Sequence, residues 1–442
     1  MIRYITFLLS VMFMMIAALS QAQTVVFQDV HLLSMESDKI ESDRTVIVKD
    51  GVIDWVGPAA EAELPRGAEI ISGEYYLMPG LAEMHAHIPS EQQGEEYVQQ
   101  VLKMYLSQGI TTIRGMLGEP SHLDLRKKAA DGDIDSPRIF TSGPSFSGNS
   151  VNSPEDARLM VRDQKAAGYD LLKLHPGLSR EVFDAMADEA QKEEMEFAGH
   201  ISYDVGLERT LEAGQGTIDH LDRYMEFMAG EAANRPDPNI IYFGYDLTPH
   251  VDESLITEAA RQTVEANVWN VPTNTLLENV FNPENSAESM MEWPGVDQMP
   301  ENVVSGWQEY IQNIRSSDDY DPEQARKYLE IRKELTLALH EAGAGLLLGA
   351  DAPQIFNPPG YSAHRELELL VQSGLTPFEA LETGTINVGE YLDEADQTGR
   401  VAKGYRADLI LLSVNPLESM PFGENIEGVM SAGQWFWSSD LK

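Results

Sequence analysis

The sequence predicts an α/β protein, a (β/α)8 TIM-like barrel with a small flanking β-sandwich built from both chain ends. Three observations support this fold class. Strand-like segments fill both ends of the chain, strand-like and helical segments alternate through the middle, and eight strands can be counted there. The 442 residues are enough for a barrel of about 250 residues and a smaller domain.

The first 22 residues have the features of a signal peptide. Arg3 supplies a positive start, Ile5 to Leu19 is almost wholly apolar, and Ser20-Gln21-Ala22 offers small residues at the cleavage-determining positions. The alternative is an uncleaved membrane anchor, but about 15 apolar residues are few for crossing a bilayer. We therefore expect an exported protein, periplasmic or extracellular, with no membrane association after cleavage.

Composition excludes several classes of function. The chain has no cysteine, which rules out a thiol nucleophile, a cysteine–zinc site and a disulfide framework. Its net charge of −41 repels nucleic acid and anionic membranes. A small molecule is therefore the expected binding partner, and a homo-oligomer remains open.

The flanking domain is predicted at residues 23–78 together with 400–442. Segments such as "RTVIVKDGVIDWVG" and, near the other end, "ADLILLSV" have the apolar and polar pattern of short strands. Asp50-Gly51 within the first segment predicts a hairpin turn. We expect the two ends to pair into one small sandwich.

The barrel is predicted at residues 79–399. Its strands are expected to end near His85, Arg114, Thr141, Lys173, His200, His220, Pro272 and Ala350. Helix boundaries between them carry recognisable signals. Ser153 precedes Pro154 as a cap, Thr376 and Glu379 form a capping box, and a long amphipathic helix ends at Gly343.

Two long insertions follow the predicted sixth and seventh strands, at Tyr224 to Leu255 and Thr273 to Asp321. Insertions after barrel strands often line or cover the active face, and the alternative is surface decoration. The sequence alone does not decide between them.

Six residues capable of metal binding fall at predicted strand ends, where barrel enzymes carry their chemistry. They are His85, His87, Lys173, His200, His220 and Asp351. Each alone is more often structural, but six at such positions indicate a site for two divalent ions, with zinc the expected metal.

The two strand-one histidines, which lie on one face of a strand, can hold one ion with Asp351, and His200 and His220 can hold a second. A buried neutral Lys173 could react with carbon dioxide to give a bridging carbamate.

Several separate motifs resemble the amidohydrolase superfamily, above all its imidazolonepropionase-related and prolidase-like branch. They are "LMPGLAEMHAH", "DLLKLH", "AGHIS", "IDHLD", "LLLGADAP" and "GRVAKGYRADLILLSVNPL", in that order along the chain. The resemblance implies a metal-bearing barrel with a small β-sandwich. It also implies a carboxylated lysine in members with two metals, which Lys173 matches, and hydrolysis of amide-like or ester-like bonds.

The resulting prediction is a two-metal hydrolase in which a metal-bridging hydroxide attacks an amide or peptide carbonyl. Asp351 acts as general base and then general acid, and His220 or Tyr242 steadies the oxyanion. His364 and Tyr242 are the predicted substrate contacts. The expected substrate is a dipeptide or an N-acyl amino acid. Alternatives are hydrolysis of a cyclic amide, lactone or other ester, and a degenerate barrel that only binds its ligand.

Overall fold

A computed structural model describes residues 24–234 and 243–441; the predicted signal peptide and Tyr242 lie outside the described residues. The strands are β1 (Thr24–Leu32), β2 (Glu41–Lys49), β3 (Val52–Pro58), β4 (Glu69–Ser72), β5 (Tyr76–Pro79), β6 (Leu81–Ala86), β7 (Ile110–Gly115), β8 (Arg138–Thr141), β9 (Leu172–Leu174), β10 (Phe197–Gly199), β11 (Thr217–Asp219), β12 (Trp269–Val271), β13 (Leu409–Leu412), β14 (Ile426–Ser431) and β15 (Gln434–Trp437). The helices are α1 (Glu95–Ser107), α2 (Pro120–Asp131), α3 (Pro154–Ala167), α4 (Arg180–Lys192), α5 (Gly206–Ala213), α6 (Tyr224–Ala229), α7 (Ile256–Glu265), α8 (Asn274–Phe281), α9 (Ala287–Met290), α10 (Glu301–Arg315), α11 (Pro322–Ala342), α12 (Tyr361–Ser373), α13 (Pro377–Thr383), α14 (Ile386–Tyr391) and α15 (Ser438–Leu441). The predicted α/β class is confirmed.

Strands from both chain ends share one mixed sheet, in the order β15–β14–β13–β5–β1–β2–β3, with β4 paired to β1. The two ends meet where β5 runs antiparallel to β13, with Leu77 opposite Leu411. Both leucines are fully buried, so apolar packing holds this junction as well as the hydrogen-bond ladder. The prediction that the two ends of the chain pair with each other is confirmed.

The hairpin predicted at Asp50-Gly51 joins β2 and β3. Both turn residues have positive φ, 51° for Asp50 and 75° for Gly51. A tight two-residue turn needs this left-handed backbone, and Asp-Gly adopts it at low cost. The turn residues therefore fix the register of the two strands, in which Lys49 lies opposite Val52.

The middle of the chain contains two parallel sheets, β6–β7–β8 and β9–β10–β11–β12. Every residue of β6 and β7 is buried, as expected for parallel strands covered on both faces. An isolated parallel bridge from Ser142 to Leu171 links the two sheets. In the described residues, strands end within two residues of the first seven predicted strand ends.

The predicted eighth strand is replaced by an irregular segment, residues 345–352. The segment still bonds to both neighbours, because Leu347 N donates to Asn270 O and Met84 N donates to Leu348 O. The amide of Leu348, however, donates to Thr383 O at the end of α13. This helix end takes a hydrogen bond that a regular ladder would use, which explains why the segment is not a continuous strand.

The predicted helix boundaries are confirmed by their caps. Ser153 accepts from Asp156 N with Pro154 in the first turn of α3. Thr376 and Glu379 form the expected capping box on α13. Helix α11 ends at Gly343, whose φ of 89° stops the helix in the left-handed region. None of the described helices is long and apolar enough to cross a membrane.

Candidate active site

Strand β6 brings two imidazoles to the carboxyl end of the first parallel sheet. The Nδ1–H of His85 donates to Asp219 Oδ2 at 2.6 Å, since a carboxylate oxygen can only accept. The other ring nitrogen of His85, Nε2, lies 3.5 Å from Asp351 Oδ1. His87 Nε2 lies 2.6 Å from that same oxygen. One ligand atom from each of His85, His87 and Asp351 thus lies within 4.8 Å of the other two.

Strands β10 and β11 bring two more imidazoles to the same place. His200 follows β10 and pairs through Nδ1 with Asp222 Oδ2 at 2.9 Å. His220 follows β11 and pairs through Nδ1 with Thr273 Oγ1 at 2.8 Å. Their ring centroids lie 4.4 Å apart, and those of His85 and His220 lie 4.6 Å apart. The histidines predicted to share a site are therefore neighbours.

The pairing of the ring nitrogens follows one rule. His85, His200 and His220 each use Nδ1 for a carboxylate or hydroxyl partner, which leaves Nε2 for the site interior. Within the described residues, His220 Nε2 is buried without a hydrogen-bond partner. An imidazole oriented through one nitrogen, with the other left unpaired, is the arrangement that metal-binding histidines adopt.

Lys173 lies in the same cluster. Its ammonium nitrogen is 3.5 Å from His85 Nε2 and 3.9 Å from Asp219 Oδ2, and its side chain is fully buried. Burial lowers the pKa of Lys173, although Asp219 and Asp351 oppose this effect. Gly199 makes room for the lysine, because a Cβ there would come within 3.0 Å of Nζ.

Arg114 and Thr217 support Asp219 from below the cluster. Thr217 Oγ1 donates to Asp219 Oδ1 at 2.6 Å, and one Arg114 nitrogen lies 3.7 Å from that oxygen. Arg114 also donates to Thr217, to Met84 O and to the hydroxyl of Tyr391. The buried guanidinium therefore holds Asp219 in place and compensates its charge.

A cavity of about 220 Å³ opens over these residues. Its polar side carries His85, His87, His175, His200, Asp351 and Gln354. Its remaining walls are mainly apolar, formed by Leu117, Phe243, Leu276, Leu277, Val280, Phe281, Tyr310 and Ile355. Most of this apolar wall comes from the two long insertions. The described parts of the insertions therefore line the cavity, which confirms the first of the two alternatives given for them. An adjoining cavity shares His175, His200, Phe243 and Tyr310 with this one and is also lined by Asp222, Arg223 and Glu226.

The structure corrects the prediction for His364. Its Nε2 lies 2.9 Å from Gln108 O, its ring packs against Phe422, and it does not line the cavity. Burial lowers the pKa of His364 to about 4. A buried, neutral imidazole tied to the backbone stabilises the packing of α12 on α1, and we replace the predicted substrate contact by this role. Tyr242 remains a prediction outside the described residues.

Several functional candidates were not named from the sequence. Asp219 and Asp222 flank His220 in "IDHLD", and Thr273 follows β12. The sequence marks Arg114 only as a predicted strand end. The local signal for the aspartates was their position beside a predicted ligand, because metal-binding histidines commonly pair with carboxylates. His175 lines the cavity and stacks on His200, with the two ring centroids 5.1 Å apart. Burial lowers the pKa of His175 to about 2.

The fold and this cluster define a hydrolase-type α/β protein with its polar groups at the ends of parallel strands. The chain belongs to the amidohydrolase family, whose model matches residues 76–436. This confirms the resemblance expected from the sequence motifs, and with it the predicted hydrolase class.

Individual relatives agree with this assignment. The chain is 24% identical to ochratoxinase of Aspergillus niger over 411 residues, which cover 85% of this chain and 78% of that protein. The solved bottromycin amidohydrolase is similar with a TM-score of 0.73 at 22% identity, covering 96% of this chain and 89% of that one. A Xaa-Pro dipeptidase is similar with a TM-score of 0.68 at 19% identity, covering 94% of this chain and all of the other. At these identities, the two solved structures support the shared fold.

Proposed function

We propose that this protein is a metal-dependent amidohydrolase that cleaves the amide or peptide bond of a small substrate carrying a bulky apolar group. The observation that carries the proposal is the convergence of His85, His87 and Asp351 on one point, beside two further imidazoles oriented through Nδ1. Membership of the amidohydrolase family supports the reaction class.

The residues present fit divalent metal ions, with zinc as the expected element. His85, His87 and Asp351 would hold one ion, and His200 and His220 a second. The unpaired buried Nε2 of His220 supports this, because such a nitrogen is costly unless it has a ligand. When bound, the metal would lower the pKa of water and polarise the scissile carbonyl.

Lys173, as a carbamate, would supply a further anionic ligand to the metal site. Its neutral amine would form an N–C bond to carbon dioxide and release a proton, giving an anionic group with two oxygens. Full burial favours the neutral amine that this reaction requires. A decisive observation would be loss of metal from Lys173→Ala and its partial restoration by an added short-chain carboxylic acid.

The protein's own groups supply the remaining steps. Asp351 lies at the edge of the cavity, 10% exposed, where its carboxylate can take a proton from water and deliver it to the leaving amine. With Nδ1 paired to Thr273 and Nε2 assigned to the second ion, His220 has no N–H left for the carbonyl oxygen, so the oxyanion role stays a prediction for Tyr242. The apolar wall excludes water, which strengthens electrostatic interactions in the site.

The cavity indicates the substrate class. Apolar side chains form most of the wall opposite the histidines, and Arg223 lines an adjoining cavity that shares His175, His200, Phe243 and Tyr310 with it. Hydrophobic burial therefore dominates recognition at this wall, where each additional substrate methylene should be favourable. Ochratoxinase and a Xaa-Pro dipeptidase among the relatives are consistent with an amide or dipeptide substrate.

We also propose the wider organisation. The two parallel sheets and residues 345–352 close into a (β/α)8 barrel at 79–399, supported by bridges from Asn270 to Leu346 and from Ala86 to Ala352. Residues 23–78 and 400–442 form the flanking β-sandwich domain. Export to the periplasm or the cell exterior follows from the apolar segment before residue 23 and is tested by locating the mature N-terminus.

The test uses N-acyl amino acids of increasing side-chain size, from acetylglycine to acetylphenylalanine. We expect chelation to abolish hydrolysis and added zinc to restore it. Asp351→Asn should lower kcat by about 10²- to 10⁴-fold while the protein remains folded. Full activity of the metal-free protein would refute the metal assignment, and full activity of Asp351→Asn would refute the role of the carboxylate.

A further inference from the structure

The backbone at Asp351 adopts an unusual conformation. Its φ is 64°, in the left-handed region that non-glycine residues seldom occupy, although aspartate tolerates it better than most. The preceding Gly349 approaches β6 so closely that a Cβ would lie 2.8 Å from His85 N. The turn is therefore fixed by its surroundings rather than by its own preference.

Three side chains hold backbone groups of Ala350 and Ala352, the two neighbours of Asp351. Glu83, fully buried on the same face of β6 as His85, accepts from Ala350 N at 3.2 Å. The hydroxyl of Tyr105 donates to Ala352 O at 2.5 Å. The amide of Asn357 donates to Ala350 O at 2.5 Å. Side chains thus pair with Ala350 N, Ala350 O and Ala352 O, while backbone hydrogen bonds join Asp351 N to His85 O at 3.0 Å and His87 N to Ala352 O at 2.7 Å.

The third of these side chains is itself fixed by the helix that forms the substrate wall. Asn357 Oδ1 accepts from Thr275 Oγ1 at 3.2 Å and from Asn279 Nδ2 at 2.8 Å, both on α8. The same helix contributes Leu276, Leu277, Val280 and Phe281 to the cavity. The position of the Asp351 turn is therefore set jointly by β6, α1 and the substrate-binding helix.

We propose that Glu83, Tyr105 and Asn357 are positioning residues that fix Asp351 for proton transfer. The inference rests on the proposed function, since it takes Asp351 as the general base and acid. The three side chains reach Asp351 through the backbone around it, Tyr105 Oη also lies 3.4 Å from His87 O, and none of the three lines the cavity. A displacement of about 1 Å at a reacting group can cost about 100-fold in rate, so loss of one tether should be visible in kcat.

The experiment removes single polar groups from the zinc-loaded protein. Tyr105→Phe deletes one hydroxyl and should lower kcat about tenfold, with KM and bound zinc changed less than twofold. Tyr224→Phe is the matched control. It also deletes a buried hydroxyl, one bonded to Thr263 and Asn270 away from the turn, and should leave kcat unchanged. Asn357→Asp, which cannot donate to Ala350 O, should reproduce the loss if Tyr105→Phe is unstable.

A double-variant comparison separates positioning from general stability. The Asp351→Glu variant already has a displaced carboxylate. In that variant, Tyr105→Phe should lower kcat by less than a further twofold. It should still lower the melting temperature by as much as it does in the parent protein. Multiplicative losses, an equal effect of Tyr224→Phe, or loss of zinc in Tyr105→Phe would each overturn the proposal. If Asp351→Asn keeps full activity, the proposed function fails instead, so the two failures are distinguishable.

Discussion

Asp219→Asn tests how the structure orients its histidines. Asp219 uses one oxygen for His85 Nδ1 and the other for Thr217 Oγ1, both at 2.6 Å. Asparagine has a single oxygen. If that oxygen faces His85, the amide nitrogen faces Thr217 and the nearby guanidinium of Arg114. If it is flipped, the amide donates to Nδ1, and the proton of His85 moves to Nε2, where it occupies the lone pair needed for the metal.

The expected loss of metal affinity can be estimated from what such an outer partner contributes. Removing an outer partner of a metal-binding histidine weakens metal affinity by about 10- to 100-fold, or about 1.4 to 2.8 kcal/mol. Because Asp219 is completely buried, we expect the upper half of this range.

Zinc competition between the apoprotein and a chromogenic chelator measures this dissociation constant. Asp184→Asn is the matched control, since it removes the same charge from a partly exposed site on α4. A dissociation constant of Asp219→Asn within twofold of the parent protein would refute the reasoning.

Two further predictions concern pH and the substrate wall. Burial raises the pKa of Glu366 from 4.5 to about 7, so the folded protein retains a proton that the unfolded chain has lost between these values. The free energy of unfolding should fall by about 3 kcal/mol as pH rises through this window, and Glu366→Gln should remove that part of the slope in urea titrations. Equal slopes would contradict the assignment. Val280→Phe should lower kcat/KM for acetylphenylalanine by about 10-fold or more and affect acetylglycine much less, whereas Val264→Phe on the surface of α7 should change neither. Equal losses for both substrates would show that Val280 does not contact the substrate side chain.

The features that the sequence predicted best are those with local causes. The capping box of Thr376 and Glu379 and the turn at Asp50-Gly51 depend on neighbouring residues only, and both are present. The strand ends were also predicted, because alternation of apolar strands with helices is a pattern along the chain. His85 and His87 could be placed on one face from their spacing alone.

The features that escaped prediction depend on contacts between distant segments. Asp219 meets His85 across 134 residues, and Glu83 meets the turn at Ala350 across 267. Nothing in the local pattern of Glu83 distinguishes a tether from an ordinary buried carboxylate. The prediction for His364 was wrong for the same reason, since its partner is the carbonyl of Gln108, which directly follows α1. The irregular backbone of residues 345–352 likewise arises from a distant contact, the hydrogen bond from Leu348 N to Thr383 O at the end of α13.

The buried pair of Arg114 and Asp219 beneath the site serves to orient one imidazole, that of His85. Arg114 is 1% exposed, and a guanidinium keeps its proton even there, so it must find partners. Those partners are Met84 O, Thr217, Tyr391 and the charge of Asp219. Replacing a buried ion pair by apolar side chains is often neutral or stabilising, which makes fold stability a poor explanation for this one. Arg114 instead lies 3.7 Å from Asp219 Oδ1, the other oxygen of that carboxylate accepts from His85 Nδ1, and His85 is thereby held with Nε2 facing the cluster.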